Sequence, residues 1–376
     1  MELAHLLGQW SADQVEEFCR TRSSQDVLRC LQRGRLGPRD YLTLLSPAAQ
    51  EHLEVMARRA QEITRRHFGR AVVLFTPLYL SNYCQNHCVY CGFNAGQSVA
   101  RQRLDLAEVD AEGAAIAASG LDQLLVLTGE APQVAGVDYL EQCLGVLRRR
   151  FASLTLEVFP MRTKEYARLV QAGADSLTLY QETYERDRYA ELHPAGPKRD
   201  FDFRLGAPER ACRAGMRGIN LGALLGLGSW RYDSFCTGMH AAFVQRRYPG
   251  VEIAISLPRM RPHCGGYEPA QPVSDAELVQ ILLAHRLFLP FAGITLSTRE
   301  SATLRDSALE LGVTKLSAGS VTAVGGHTGD AATEGQFAIA DTRSVQELCA
   351  ALRARRFQPV FKDWEPLGEP AHGQAC

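Results

Sequence analysis

The sequence predicts an α/β protein built on a (β/α)8 barrel of the TIM type, preceded by an N-terminal helical extension. Two observations carry this expectation. From residue 71 onward eight short apolar, β-rich runs recur, each followed by a stretch of helical periodicity. Polar groups also gather at one end of nearly every run, where a barrel keeps its chemistry. A doubly wound open sheet is the rival, since the strand spacing is irregular, but it has no reason to stop at eight.

Taken in order, residues 1–70 contain no clear strand. The stretches SADQVEEFCRTRSSQDVLRCLQRG and SPAAQEHLEVMARRAQEITRRHFG read as amphipathic helices with serine at their cap positions. The basic set Arg58, Arg59, Arg65, Arg66, His67 and Arg70 reads as a solvated helix face with acids interspersed, ahead of an RNA-binding surface. Strands are expected at 72–80, 123–129, 153–159, 176–181, 218–226, 251–258, 293–299 and 313–320. Helices are expected at 105–119, 138–150, 162–172, 207–215, 232–248, 274–289, 300–311 and 344–356. Three of them open with a capping box: Asp105 with Glu108, Ser274 with Glu277, and Ser344 with Glu347. The expected organisation is an extension at 1–70, a barrel at 71–356 and a tail at 357–376.

Composition narrows the function classes. Forty-one basic residues against forty-two acidic ones argue against a general nucleic-acid or membrane-surface binder. The start has no signal-peptide pattern, and no apolar run approaches the roughly 18 residues of a membrane span. Eleven cysteines without an export signal are expected as reduced thiols or metal ligands, and the expected address is the cytoplasm.

Three of those cysteines, Cys84, Cys88 and Cys91, fall within LYLSNYCQNHCVYCGFNAG after the first run. Thiolates at C-x3-C-x2-C can each hold one iron of a 4Fe–4S cube. The fourth iron then stays open to a small molecule. S-adenosylmethionine (SAM), chelating there, can be cleaved by one electron to a 5′-deoxyadenosyl radical. Gly92 permits a tight turn, and Tyr90 shields the cluster and joins the candidate substrate contacts. A zinc site has the same ligands but wants a fourth, and no paired Cys or Cys/His follows at finger spacing. A helix bearing the thiols at i, i+4 and i+7 conflicts with Asn82, Asn86, Gly92 and Asn94.

Other strand-end groups suit SAM. Glu130 in LTGE can accept from its ammonium, Glu157 and Glu182 from its ribose hydroxyls, and Arg204 can clamp its carboxylate. Arg299 can pair with the carboxylate of an amino-acid substrate, with Ser317 and Ser320 adding hydroxyls; a SAM contact or an ion pair to Glu300 or Asp306 competes for Arg299. The Gly-rich stretch 321–337 reads as a lid or a mobile loop.

Together the stretches LYLSNYC, HCVYCGFN, LTGE, YQETY, DFRLGAPERACRAG, INLGALLGL, WRYDSF, SLPRMRPHCGGYEP, LSTRES, LSAGS and QPVFKDW resemble the 2-iminoacetate synthases of thiamine thiazole biosynthesis. The resemblance implies that the radical abstracts hydrogen from the amino nitrogen of L-tyrosine. The Cα–Cβ bond then breaks to p-cresol and 2-iminoacetate (dehydroglycine). It implies one 4Fe–4S cluster and SAM as cofactors, thiazole synthase as the protein receiving the imine, and reduced flavodoxin or ferredoxin as electron donor. Alternatives are the tyrosine lyase of hydrogenase maturation, a radical SAM enzyme acting on RNA, and a zinc-stabilised interaction scaffold. The resemblance implies a C-terminal extension with a second cluster for the maturase. No C-x2-C pair other than Cys88/Cys91 is present here, which favours the thiamine enzyme.

Overall fold

The structure is a computed structural model describing residues 2–263, 266–269, 271–329 and 333–362. Cys264, Cys376, Trp364 and residues 330–332 of the Gly-rich stretch lie outside the described residues. Eight parallel strands close into a barrel: β1 (Ala71–Ser81), β2 (Gln123–Thr128), β3 (Ser153–Glu157), β4 (Ser176–Glu182), β5 (Gly218–Ala223), β6 (Glu252–Ser256), β7 (Gly293–Leu296) and β8 (Lys315–Ser317). Closure comes from β1, which is long enough to pair with β8 over Val73–Phe75 and with β2 from Thr76 onward. The open-sheet rival is thereby set aside.

A ninth strand, β9 (Gln358–Val360), was not expected from the sequence. It pairs with Ala71–Val73 on the edge of β1 opposite β8, below the point where β2 begins. Part of the expected tail is therefore sheet. Its three residues are too short to carry a period, and only the free edge of β1 makes them a strand.

The helices start where the caps say. Asp105, Ser274 and Ser344 accept the backbone N–H groups of the first turn, and Glu108, Glu277 and Glu347 complete the reciprocal bonds. The first expected N-terminal helix is two, Ala12–Arg20 and Ser24–Leu31, because Ser23 caps the second with its own capping box to Asp26. Two short helices between β4 and β5, Arg186–Leu192 and Phe201–Leu205, were also not anticipated. The expected strands at 153–159, 218–226 and 293–299 end two to three residues early, at Glu157, Ala223 and Leu296. Their last residues are loop, which frees their side chains for the barrel mouth.

The extension packs on the barrel's own helices. The Tyr41 hydroxyl donates to Ser234 O at 2.7 Å and meets His285 Nδ1 at 2.9 Å, and its ring stacks on Phe288. Gln280 Nε2 donates to the carbonyls of Leu44 and Ser46. Arg305 pairs with Asp341, both buried, and donates to Ser317 O, fixing the end of β8.

Asp233 pins the end of β4 to helix Trp230–Arg247: its Oδ1 accepts from Thr183 Oγ1 at 3.0 Å and Tyr184 N at 2.7 Å. Burial pushes this carboxyl up to about 7, against the lowering effect of those two donors. Protonation therefore favours the folded state. Stability is full below about pH 4, where an unfolded Asp also holds its proton, and declines as pH rises through 7. Asp233→Asn, which cannot ionise, is expected to raise the melting temperature relative to the parent at pH 8 and to gain less at pH 5. Melting curves at the two pH values check this.

Candidate active site

Cys84, Cys88 and Cys91 sit in the irregular segment between β1 and helix Leu106–Ala118, so the helical reading of their spacing is removed. The backbone of this loop is bonded to the segment after β2 and to the end of helix Arg186–Leu192. Gln85 N donates to Glu130 O (2.9 Å), His87 N to Ala195 O (3.0 Å) and Val89 N to Leu192 O (3.1 Å). Asn86 bridges both anchors: its Nδ2 donates to Glu130 Oε2 at 2.7 Å and its Oδ1 accepts Lys198 N at 2.8 Å. Arg101 closes the loop from within, donating to the carbonyls of Asn82, Phe93 and Asn94.

The approach is tight. A Cβ on Gly129 would stand 2.3 Å from Tyr83 O, and one on Gly196 would meet Asn86 and Gln85 at 2.5–2.7 Å, at a φ of +96°. Cys88 is buried and Cys84 and Cys91 are half-buried. Burial pushes the Cys88 thiol up to about 12 and raises Cys91 as well, so cluster binding would release protons here. No three His, Cys, Asp or Glu side chains among the described residues gather round a single point. A cube needs none, because each thiolate takes its own iron.

Tyr90 backs the loop. Its hydroxyl donates to His193 Nε2 at 2.8 Å, since Nδ1 of that ring is committed to Tyr189 O at 2.7 Å. Burial holds His193 down to about 3, hence neutral. Lys198 Nζ lies 5.6 Å from the Tyr90 ring centre. Tyr90 packs with Cys88, Leu192, Leu224 and Leu227 and is not among the cavity-lining residues.

The strand-end residues separate into two groups. A cleft on the flank is lined by Glu130, Phe159, Lys198, Phe203 and Arg204. Arg204 is already engaged there, donating Nε to Tyr180 O and Nη2 to Glu182. Glu182 sits at a bulge ending β4, at a φ of +73°, and its Oε1 receives Lys198 Nζ at 2.6 Å. Lys198 and Arg204 together outweigh burial and hold Glu182 below its ordinary value.

The second group faces the barrel interior. Tyr79, Glu157, Tyr180, Arg299, Ser317 and Ser320 line one cavity. This places Glu157 with the expected substrate contacts and apart from Glu130 and Arg204. Burial raises Glu157 to about 7, opposed chiefly by Arg299. Arg299 makes neither competing ion pair: Glu300 holds Arg259 and Arg261, and Asp306 holds Arg343 and Arg355. Its guanidinium lies 3.3 Å above the Phe337 ring instead. The Ser317 hydroxyl accepts Thr298 N, whereas Ser320 Oγ, Thr295 Oγ1 and Asn220 Oδ1 have no partner among the described residues and line the cavity. These orphaned groups fit a polar occupant.

The described residues of the Gly-rich stretch run against β1 and helix Leu106–Ala118. Val324 bridges Tyr79, His327 Nε2 meets Pro77 O at 2.9 Å, and Glu112 accepts the backbone of His327 and Thr328.

Residues 78–231 match the Radical SAM superfamily, and residues 256–358 match the Biotin and Thiamin Synthesis associated domain. The 2-iminoacetate synthase of Escherichia coli (strain K12) is 43% identical over 345 residues, covering 92% of each chain. The chain belongs to the 2-iminoacetate synthase family of radical SAM enzymes. The corresponding enzyme of Salmonella typhimurium is 41% identical over the same share. Among solved structures, the FeFe-hydrogenase maturase HydG from Carboxydothermus hydrogenoformans superposes with a TM-score of 0.84 at 31% identity, over 96% of this chain and 82% of that one.

Lys198, His193 and Arg101 were missed in the sequence. Lone basic residues in loops carry no spacing signal, and their roles depend on partners up to 112 residues away. Gly129→Ala is expected to displace the cysteine loop while sparing the barrel. Iron bound after anaerobic reconstitution should fall severalfold, with the far-ultraviolet circular dichroism unchanged.

Proposed function

We propose that this chain cleaves the Cα–Cβ bond of L-tyrosine to 2-iminoacetate and p-cresol, with SAM converted to 5′-deoxyadenosine and methionine. The observation that carries the substrate assignment is Arg299, free of carboxylate partners among the described residues, facing Glu157 within the barrel cavity. A zwitterionic amino acid needs a cation for its carboxylate and an anion for its ammonium, and these two side chains supply them. Cys84, Cys88 and Cys91 would hold one 4Fe–4S cluster, and Glu130 with the flank cleft would meet SAM. When bound, these groups supply the 5′-deoxyadenosyl radical.

The chain's own residues bind, orient and exclude water. Ser320, Thr295 and Asn220 offer hydrogen bonds to the amino acid from the cavity wall. Glu157, lifted to about 7, can share a proton with the substrate ammonium near neutral pH. Phe337, packed on Arg299, helps to keep water from radicals. The imine passes to thiazole synthase, and a reduced flavodoxin or ferredoxin supplies the electron.

Anaerobic incubation with SAM, reductant and tyrosine should yield p-cresol and, after hydrolysis of the imine, glyoxylate. Cys84→Ala, Cys88→Ala or Cys91→Ala should abolish 5′-deoxyadenosine. Carbon monoxide or cyanide together with eight or more irons per chain would move the assignment to the maturase reaction.

Arg299→Ala should weaken tyrosine binding by tens- to thousands-fold, from the about 2–5 kcal/mol lost with a buried charged partner. Iron content should not change. Arg299→Lys should rescue poorly, having no planar fork. Titration of reconstituted protein with tyrosine measures both.

A further inference from the structure

One side chain of the Gly-rich stretch touches both the cysteine loop and the cavity wall. Gln336 Nε2 lies 3.7 Å from Cys91 Sγ, within donor reach of sulfur. Its Oε1 accepts the Tyr79 hydroxyl at 2.8 Å. Tyr79 lines the cavity and is buried, and burial drives its phenol well above its ordinary value, so it remains a donor. A phenol donating to Oε1 fixes which end of the amide is N–H, and that end faces the sulfur. The backbone holds the geometry from both sides: Gln336 N donates to Thr322 O at 3.1 Å, and Thr322 Oγ1 donates to Phe337 O at 3.2 Å. Cys91 Sγ receives one further N–H, from Phe93 at 3.4 Å.

We propose that Gln336 tunes the cluster: its amide N–H donates to the Cys91 thiolate and raises the cluster's reduction potential, with Tyr79 setting the amide's orientation. A hydrogen bond to a cluster sulfur stabilises the reduced, more negative state, because the added electron increases charge on the thiolate. The inference rests on the assignment of Cys91 as a cluster ligand. Sequence reading assigned Gln336 no role, since a glutamine 245 residues from its partner carries no local signal.

The test is an anaerobic redox titration of reconstituted protein, followed by electron paramagnetic resonance of the reduced cluster, with iron and sulfide measured on each sample. Gln336→Leu should lower the potential relative to the parent at equal iron content. Gln336→Glu should lower it at least as far, having lost the donor. Tyr79→Phe, which keeps the amide but frees its orientation, should shift it the same way by less. An unchanged potential in Gln336→Leu with full cluster overturns the proposal while leaving the cluster assignment standing. If that variant loses its cluster, Tyr79→Phe decides, and no shift there overturns the proposal. A parent protein that binds no iron would sink the ligand assignment itself and this inference with it.

Discussion

The geometry of the mouth depends on how closely the cysteine loop lies against the end of β2. Gly129 has no room for a Cβ beneath Tyr83, and Glu130 then binds the loop through both its carbonyl and its carboxylate. A loop this irregular has few backbone bonds of its own, so its shape must be imposed from outside. Here the outside is rigid: parallel strands bonded on both edges and a second anchor at Leu192 and Ala195. Three thiols that would otherwise wander are held in a fixed arrangement before any iron arrives, which lowers the ordering cost of binding it.

Charge is arranged in the same spirit. On the flank, one buried carboxylate, Glu182, is shared by two cations, Lys198 and Arg204. In the cavity, Glu157 and Arg299 oppose each other across a space lined by hydroxyls and an amide. Burying an ion is costly unless it is paired, and a removed partner leaves the other exposed to the full penalty. The Glu182 cluster is satisfied within the protein. The cavity pair is less so, and a zwitterionic ligand would complete it.

The barrel interior departs from the usual filling by branched apolar side chains. Ser153, Thr155, Ser176, Thr178, Gly218, Asn220, Ser256 and Thr295 line it, and one cavity takes in residues from both ends of the strands. Small and polar residues leave space that Val or Ile would occupy. The stabilising apolar burial has moved outward, to the layer between strands and helices, where Leu74, Val126, Leu156 and Ile255 are fully enclosed.

The sequence by itself determined the barrel, the three reciprocal caps and the cysteine triad, because each is written in local period or short spacing. Strand starts were legible to within two residues and strand ends less so, since where a parallel strand stops depends on its neighbour's length. Only the tertiary structure decided which carboxylates share a cavity. Glu130, Glu157 and Glu182 look alike in sequence, yet one ties down a loop, one faces Arg299, and one is held by Lys198. It also decided the roles of His193, Lys198 and Gln336, and made residues 358–360 a strand. In each case the partner lies far along the chain, and pairing at such distance is set by how helices and strands pack, which no local pattern encodes.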